Sequence, residues 1–247
     1  MKKIILLCST AAVFLPATAY AQSSGTIATE EEVIVVTGTR TRGVVGVSVP
    51  DTTKAQAVIT QELIAKQAPG QTILNTINLV PGVNFTQSDA YGSAGGNIRI
   101  RGFDGNRISL TFDGLPLNDT GNYAIFSNQQ LDPELIEQVN VGLGVTDVDS
   151  PTASAAGGTV NYRTIRPGRE QGLRFVGSIG DFDYRRGFVL LESGELHSSG
   201  TRAFLAGSMA RNDKWKGPGE IYKRQGNARI YQPLGTNGDF QIGRAHV

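Results

Sequence analysis

Two short runs of alternating apolar and polar residues, 98–100 and 108–112, most constrain what this chain can fold into. Alternation with a period of two is typical of a β-strand that buries one face. Between the runs lies Asp104-Gly105, a pair that tolerates the positive φ angles of a tight hairpin turn. The pattern therefore predicts a β-hairpin, whose second strand is ended by Asp113-Gly114 and Pro116.

The composition fits a folded protein of one or two domains. The chain has 247 residues, 39% of them hydrophobic and 18% charged, and its 31 glycines favour turns and strands over helical bundles. A net charge of +1 and the lack of a basic run give no reason to expect a nucleic-acid partner. The single cysteine, Cys8, lies in a segment that we expect to be removed, which would leave no disulfide and no cysteine metal site.

The start of the chain is typical of a cleaved secretory signal peptide. Met1-Lys2-Lys3 is charged, residues 4–15 are apolar, and Ala19-Tyr20-Ala21 is a small-x-small cleavage site. The apolar run is too short for a membrane-spanning helix, which needs about 20 residues. Leu7 before Cys8 is too bulky for a lipoprotein signal. We expect cleavage after Ala21 and export from the cytoplasm.

A Val-rich segment follows a polar leader of small residues. Its members are Glu32, Val33, Ile34, Val35, Val36 and Thr37. Consecutive β-branched residues favour a strand, yet the leader offers no neighbouring strand for pairing. An extended segment on a slack leader suits β-augmentation, in which its main chain joins a sheet edge of another protein. The alternative interpretation is the first strand of an ordinary domain.

Residues 44–166 have a mixed α+β pattern. Thr60 is placed to cap a helix that runs to Lys66, and a second helix is predicted over residues 71–79. Asp132-Pro133-Glu134 predicts a further short helix, with Asp132 as its N-cap.

Four motifs give this region a resemblance to a known family. They are Ile100-Arg101-Gly102-Phe103, Asp113-Gly114-Leu115-Pro116-Leu117-Asn118, the alternating strand Ile136–Val141, and Ala155-Ala156-Gly157-Gly158-Thr159-Val160-Asn161. Together they are similar to the plug domain of TonB-dependent outer-membrane receptors. The family usually has Arg-Gly-Pro where Leu143-Gly144-Val145 stands here, and an aromatic-Gly pair that residues 152–155 lack. These departures indicate a divergent branch.

After Pro167-Gly168, strand patterns with one apolar side recur between turns. They fall at residues 173–179, 188–191, 202–209, 227–231 and 240–242, with a hairpin turn at Asn237-Gly238 before the last. Such segments are typical of a transmembrane β-barrel. Trp215, Tyr222 and Tyr231 are candidates for an interfacial aromatic girdle. A small soluble sandwich is the alternative for this region alone.

The resemblance implies an α+β plug domain, with a mixed four-stranded sheet and short helices, followed by the first strands of a transmembrane antiparallel β-barrel. The expected division is a signal peptide at 1–21, a flexible periplasmic leader at 22–43, the plug at 44–167 and an incomplete barrel at 168–247. Plugged barrels use about 22 strands, and an open array leaves unpaired backbone groups in lipid. We therefore expect a truncated N-terminal fragment, in which Arg244–Val247 fits no strand pattern.

The resemblance also implies sites and partners. The Val-rich segment corresponds to the TonB box, which the TonB energy transducer of the inner membrane grips by β-augmentation. Loops that flank the central pattern correspond to the ligand-binding surface, with candidate contacts Gln87, Asp89, Tyr91, Asp119, Asn122 and Tyr123. Arg99 and Arg101 correspond to plug–barrel anchors, whose acidic partners would lie on barrel strands that this chain does not contain.

No enzyme chemistry is predicted. His197 and His246 cannot build a catalytic triad or a zinc site, and Gly142-Leu143-Gly144 lacks the third glycine of a dinucleotide fingerprint. The pairs Asp147/Asp149 and Asp181/Asp183 are interpreted as turn acids rather than calcium ligands. We expect no metal site and no cofactor.

The predicted function is that of a TonB-dependent receptor that imports a scarce ligand, driven by the inner-membrane proton gradient. An iron chelate such as an iron–siderophore, a cobalamin or an oligosaccharide would fit, because fold does not fix substrate. The expected location is the outer membrane of a Gram-negative cell, in contact with its lipid. The alternative is a secreted or periplasmic α+β binding module without transport, in which the Val-rich segment is an edge strand.

Overall fold

The computed structural model describes residues 46–50, 54–126, 131–144, 146, 150–234 and 239–245. The predicted signal peptide, the Val-rich segment, Asp147, Asp149 and the Asn237-Gly238 turn lie outside these residues.

Short strands make up most of the regular structure. They are β1 (Val47–Ser48), β2 (Gln56–Thr60), β3 (Val83–Gln87), β4 (Gly96–Ile100), β5 (Phe103–Asp104), β6 (Ile108–Phe112), β7 (Leu115–Pro116), β8 (Ile136–Leu143), β9 (Gly158–Thr164), β10 (Gln171–Gly180), β11 (Tyr184–Glu195), β12 (Arg202–Asp213), β13 (Glu220–Pro233) and β14 (Asp239–Ala245). The helices are α1 (Gln61–Ala65) and α2 (Ile73–Thr76), with 3₁₀ turns at Ile77–Leu79, Gly105–Arg107 and Pro133–Leu135.

A mixed six-stranded sheet, called the central sheet, has the order β1-β2-β8-β9-β6-β7. β6 and β9 are parallel, and the other neighbours are antiparallel. β1 and β7 contain two residues each and lie at the edges, so the longer strands form the predicted mixed four-stranded sheet. β3, β4 and β5 form a separate three-stranded sheet. The predicted α+β architecture is confirmed.

The predicted hairpin between residues 98–100 and 108–112 is wrong, because these strands lie in different sheets. The chain reverses earlier, at Arg101-Gly102, where the φ angles are 49° and 87°. β5 then pairs back on β4, and the 3₁₀ turn at Gly105–Arg107 leads the chain into the central sheet. There β6 pairs with β9. Alternation identified both strands, but it carries no information about a partner so distant in sequence.

Both strands nevertheless reach the same core, which explains their alternation. Ile98, Ile100, Ile108 and Leu110 are at most 2% exposed and belong to one cluster of buried apolar side chains. The helices contribute to that cluster Leu63, Ile64, Ile73 and Leu74.

The helix predictions are confirmed in position but not in detail. α1 begins after Thr60, yet the Thr60 hydroxyl donates to the Gly46 carbonyl at 3.3 Å and makes no capping bond. The helix predicted over residues 71–79 is divided into α2 and a 3₁₀ turn. No sequence pattern predicted β3.

A five-stranded antiparallel sheet, called the wall, follows in chain order from β10 to β14. It confirms the strand patterns predicted after Pro167. β14 includes Arg244 and Ala245, so the expectation that these residues fit no strand is wrong. The inward face of the wall contributes side chains to the same core as the central sheet, namely Phe188, Leu190, Phe204 and Ala206.

The opposite, outward face of the wall carries exposed apolar side chains. They include Leu173, Phe175, Ile179, Leu191, Leu205, Met209 and Ile230. Trp215 and Tyr222 are also exposed, so their place in a girdle stays a prediction. Tyr231 is only 7% exposed and meets the guanidinium groups of Arg166 and Arg202, 5.6 and 4.6 Å from its ring centroid. Its assignment to the girdle is wrong.

A substitution of Gly158, at the start of β9, tests how closely β8 and β9 approach each other. Its φ angle is 136°, and a Cβ atom there would lie 2.1 Å from the Gly142 carbonyl oxygen. We expect Gly158→Ala to lower the free energy of unfolding by at least about 2 kcal/mol, because the backbone must shift. Urea or thermal denaturation of the full-length protein measures the loss.

Gly226→Ala in β13 is the matched control, since a Cβ atom there meets nothing within 4 Å. Equal stability of the two variants would contradict the close approach of β8 and β9.

Candidate functional site

The loop of residues 88–95, between β3 and β4, is shaped by its own polar side chains. Asp89 is 1% exposed, and its carboxylate accepts bonds from the backbone N–H groups of Tyr91 at 3.2 Å and Ala94 at 2.9 Å. The Gln87 amide donates to a carbonyl of the loop at 3.0 Å. Side chains that bond to the nearby backbone in this way stabilise turns. Asp89 and Gln87 therefore fix the shape of this first loop.

Tyr91 joins the first loop to the wall. Its ring stacks on that of Tyr184 in β11, with centroids 3.7 Å apart and planes at 12°. Its hydroxyl donates to the Asp181 carbonyl at 3.1 Å, and burial raises the pKa of that hydroxyl, which keeps it a neutral donor. The first loop thus lies at the end of the wall where β10 turns into β11.

The second loop, residues 119–124, is closed by similar bonds. The Asp119 carboxylate accepts from two backbone N–H groups at 2.8 and 3.1 Å. The Asn122 side chain accepts from the Ala124 N–H at 2.9 Å. Tyr123 has a φ angle of 60°, which places it in the left-handed region of a tight turn.

Buried Asn118 holds the base of the second loop. Its Oδ1 accepts from the Leu110 N–H at 2.8 Å and the Thr152 hydroxyl at 3.0 Å. Its Nδ2 donates to the carbonyls of Ile108 at 2.8 Å and Tyr123 at 2.9 Å. The amide thus bonds through both atoms to the edge of β6 and to the loop. The asparagine that ends the Asp-Gly-Leu-Pro-Leu-Asn motif therefore positions the loop.

A cleft of about 230 Å³ lies between the start of β4, the turn after β5 and the end of the second loop. Its lining residues are Asn97, Ile98, Asp104, Gly105, Asn106, Ala124 and Ile125. Its walls are about equally polar and apolar, and its volume is below the roughly 300–1,000 Å³ of most small-molecule pockets, so it can take only part of a larger ligand. Sequence reasoning missed Asn97, Asp104 and Asn106, because the hairpin prediction made residues 103–106 a simple turn.

The predicted ligand contacts divide between the two loops. Gln87, Asp89 and Tyr91 are together in the first loop, and Asp119, Asn122 and Tyr123 are in the second. Their observed partners are backbone groups of their own loops and, for Tyr91, the wall. Contact with a ligand stays a prediction for all six.

Arg99 and Arg101 lie at the end of β4 and in the turn that follows. The Arg99 Nε is 2.7 Å from the Asp104 carboxylate across the β4–β5 pair, and this hydrogen bond and charge lower the pKa of Asp104. Both partners are exposed, so the pair contributes little stability. Arg101 is exposed beside Gly144. Their predicted pairing with barrel acids stays a prediction.

A buried ion cluster, called the clamp, joins the central sheet to the wall. The Arg186 guanidinium of β11 donates two bonds to Glu134, at 2.7 and 2.9 Å, and one to Asp132, at 2.9 Å. The Ser208 hydroxyl of β12 donates to the other Asp132 oxygen at 2.7 Å. The Arg186 and Asp132 side chains are 2% and 3% exposed. Charge-assisted, bidentate bonds of this kind are strong and directional.

The clamp was not predicted, whereas Asp132 does occupy the predicted N-cap position. The short helix at Pro133–Leu135 is a single 3₁₀ turn, and the Asp132 carboxylate makes no capping bond. A partner on the wall competes with the local cap and satisfies the carboxylate instead. The only available signal was the alternation in β11, which places Arg186 on the same face as the buried Phe188.

A second polar contact joins β13 to the end of β9. The Arg229 guanidinium donates to the carbonyls of Thr164 at 3.3 Å and Ile165 at 3.0 Å, and to the Thr164 hydroxyl. The Asp113 carboxylate lies 3.5 Å from the same guanidinium and accepts from the Thr164 N–H at 3.0 Å. This contact fixes the point where the chain passes from the central sheet to the wall.

Among the described residues, no group of three or more His, Cys, Asp and Glu side chains is placed to hold a metal ion. No helix in those ranges is long and apolar enough to cross a membrane. Asp183 lies in the β10–β11 turn with a φ angle of 50°, in keeping with its interpretation as a turn acid.

Residues 48–159 match the family model described as TonB-dependent Receptor Plug Domain. The chain is similar in fold to the pyoverdine outer membrane receptor FpvA of Pseudomonas aeruginosa PAO1, with 20% identity and a TM-score of 0.65 over 78% of this chain and 27% of that one. It is also similar in fold to the ferric-catecholate import receptor Fiu of E. coli K12, with 24% identity and a TM-score of 0.61 over 79% of this chain and 27% of that one. The third similar structure is the alcaligin receptor FauA of Bordetella pertussis, with 24% identity and a TM-score of 0.58 over 74% of this chain and 30% of that one.

The chain spans about a quarter to a third of the length of these receptors. At such identities the likeness shows the fold alone. No curated protein sequence matches the chain significantly.

Removing the cation of the clamp tests how the two sheets are held. Arg186→Met removes the direct hydrogen-bonded ion-pair partner of the buried carboxylates Asp132 and Glu134, so we expect a loss of about 3–5 kcal/mol in the free energy of unfolding. The urea midpoint for proteolysis of the central sheet in the full-length protein measures it.

The matched control is the triple variant R186M/D132N/E134Q, which removes the stranded charges as well and should recover most of the loss. If the triple variant is as unstable as Arg186→Met, charge pairing is not what the clamp contributes.

Proposed function

We propose that this protein is an outer-membrane receptor that imports an iron–siderophore, because residues 48–159 match the model of the plug domain of TonB-dependent receptors. The observation that carries the proposal is the clamp. It fixes a plug domain to a wall whose two faces have the polarity of a membrane barrel.

The polarity of the wall supports a membrane location. Leu173, Phe175 and Ile179 on the outward face are 71%, 69% and 90% exposed. The inward face buries polar side chains, among them Arg186, Ser208, Asn212, Gln225, Asn227 and Arg229. Apolar residues outside and polar residues inside are the arrangement of a transmembrane β-barrel and the reverse of a soluble sheet.

The strand lengths point the same way. β10, β11, β12 and β13 contain 10, 12, 12 and 14 residues. A tilted strand of about 9–11 residues crosses the hydrocarbon core, so each of these strands is long enough to do so. The predicted cleaved signal peptide at residues 1–21 would supply export to that membrane.

The ligand class is drawn from the solved relatives and from the cleft. The printed names of the three receptors concern pyoverdine, ferric catecholate and alcaligin. In this chain the ligand would approach from the end of the wall where Tyr91 meets Asp181, and it would contact the two loops and the cleft beside the second loop. Cobalamin or an oligosaccharide would use the same surface.

Transport would be driven through residues 32–37, which we propose as the segment that the TonB energy transducer pairs with by β-augmentation. A pull on this segment would act on the plug domain. Displacement of the plug would have to separate Asp132 and Glu134 from Arg186, and breaking a buried pair costs about 3–5 kcal/mol. The clamp would therefore keep the plug seated until force is applied.

Deletion of residues 32–37 separates transport from binding. We expect the variant to bind a ferric siderophore with wild-type affinity but to lose uptake of the ⁵⁵Fe-labelled complex, because the transducer has nothing to pair with. Deletion of residues 23–28 in the leader is a control of equal length and should leave uptake unchanged. Loss of folding after deletion of 32–37 would instead favour the binding module, in which this segment is an edge strand.

Filling the cleft tests the ligand site. Ala124→Trp places a large side chain between the second loop and Asn97, and we expect uptake of ferric siderophore to fall at least about fivefold, the change that corresponds to a loss of about 1 kcal/mol in binding free energy. Ala65→Trp, at an exposed position of α1 away from the cleft, is the matched control. Growth under iron limitation on catecholate and hydroxamate siderophores provides the measurement. Unchanged growth of the Ala124→Trp strain would exclude the cleft.

A further inference from the structure

Tyr91 and Tyr184, called the tyrosine pair, join the first loop to the wall face to face. Their ring centroids are 3.7 Å apart and their planes meet at 12°, so the rings lie almost directly on top of each other. Aromatic pairs prefer an offset or edge-to-face arrangement to such a sandwich. In the ranges that the structure describes, no other two aromatic rings are stacked. The surroundings must therefore hold the tyrosine pair in place.

Polar contacts fix the two rings at opposite ends. The Tyr91 hydroxyl donates to the Asp181 carbonyl at 3.1 Å, in the turn between β10 and β11. It also lies beside Gly180, the register partner of Tyr184. The Tyr184 hydroxyl lies at the other end, 3.5 Å from the Pro69 carbonyl. The rings therefore run head to tail, and the carbons beside each hydroxyl lie over the partner ring.

The two tyrosines differ in their access to solvent. Tyr91 is half-buried in the first loop, whereas Tyr184 is only 3% exposed. Burial and the Asp181 carboxylate raise the pKa of Tyr91, so its side chain is a neutral phenol. A dissolved oxidant therefore reaches the phenol of Tyr91, and the ring in contact with that phenol is Tyr184.

Contact between two phenols permits a reaction that an isolated tyrosine cannot undergo. A phenol that loses its O–H hydrogen atom becomes a phenoxyl radical, which shares its unpaired electron with the ring carbons beside the oxygen. Two such rings in contact join through these carbons. The hydrogens on the joined carbons then move to the oxygens, which restores both phenols. The net change is the loss of one hydrogen atom from each tyrosine.

We propose that the tyrosine pair is a site of oxidative cross-linking, at which hydrogen peroxide and iron join Tyr91 to Tyr184 as dityrosine. Peroxide, activated by the iron, takes one hydrogen atom from each phenol and is reduced to water, while a carbon–carbon bond forms between the rings. The iron returns to its starting oxidation state. The first loop is then tied covalently to the wall. The consequence for transport rests on the proposed function: a receptor that holds an iron chelate stops importing it when peroxide is present.

The test uses the full-length protein in nanodiscs, with hydrogen peroxide and the iron(III)–EDTA chelate as the oxidant. Peptide mass spectrometry should find Tyr91 and Tyr184 in one cross-linked product that is two hydrogen atoms lighter than its separate peptides. Dityrosine fluorescence should appear with it.

Two variants locate the reaction. Tyr184→Phe keeps a ring in the stack but has no phenolic hydrogen, so the cross-link should be lost. Tyr231→Phe is the matched control, because Tyr231 is a wall tyrosine of similar burial that meets arginines instead of a second ring. It should cross-link as wild type does. The proposal is overturned by the absence of the Tyr91–Tyr184 product in wild type, by dityrosine in equal amount in Tyr184→Phe, or by cross-links found only between two copies of the chain.

Uptake of a ⁵⁵Fe-labelled siderophore complex measures the consequence for transport, with each protein compared with its own untreated sample. Treated wild type and Tyr231→Phe should lose uptake in proportion to their cross-linked fraction, whereas Tyr184→Phe should keep it. Unchanged uptake by cross-linked wild type would overturn this consequence. A failure of the proposed function appears separately, since uptake would then be absent before any oxidation while the cross-link with the EDTA chelate still forms.

Discussion

The buried charge of Arg186 determines how the two sheets of this protein are joined. A guanidinium with a side chain only 2% exposed requires partners, since an unpaired buried ion costs several kcal/mol. Its partners, Asp132 and Glu134, come from a segment more than fifty residues earlier in the chain. The 3₁₀ turn at Pro133–Leu135 presents both carboxylates to one guanidinium. The two carboxylates before β8 and the guanidinium of β11 therefore neutralise each other, and each would be a buried charge without this partner if the other were removed.

Apolar contacts lie between this clamp and the second polar contact at Arg229. Phe188 and Leu190 are fully buried in the core that the wall shares with the central sheet, and Phe204 and Ala206 belong to the same core. Such burial supplies stability without direction, whereas the charged bonds set the register. A slip of one residue in β11 would turn Arg186 to the outward face and strand both acids. The clamp thus selects one register among several that would bury similar apolar area.

The sequence predicted strands well where their alternation is local, and it failed where a partner is distant. Residues 98–100 and 108–112 were both strands, but β6 pairs with β9 rather than β4. Asp132 satisfied a local rule for helix caps, while its actual partner lies on another sheet. The loops were recognisable from composition, whereas the cleft beside the second loop depends on β5 folding back onto β4. Each incorrect prediction concerns a contact between residues distant in sequence, which no local sequence pattern indicates.

The two faces of β11 make different kinds of contact. Its outward residues, such as Leu191, suit hydrocarbon, and its inward residues combine an apolar patch with Arg186. An apolar patch loses contact gradually as surfaces slide, because its attraction is non-directional. A bidentate ion pair in a dry site is lost almost at once when its geometry is broken, since little water is present to replace the bonds. On the proposed function, the plug would therefore yield at a threshold of force rather than drift, and that threshold would be set by Asp132, Glu134 and Arg186.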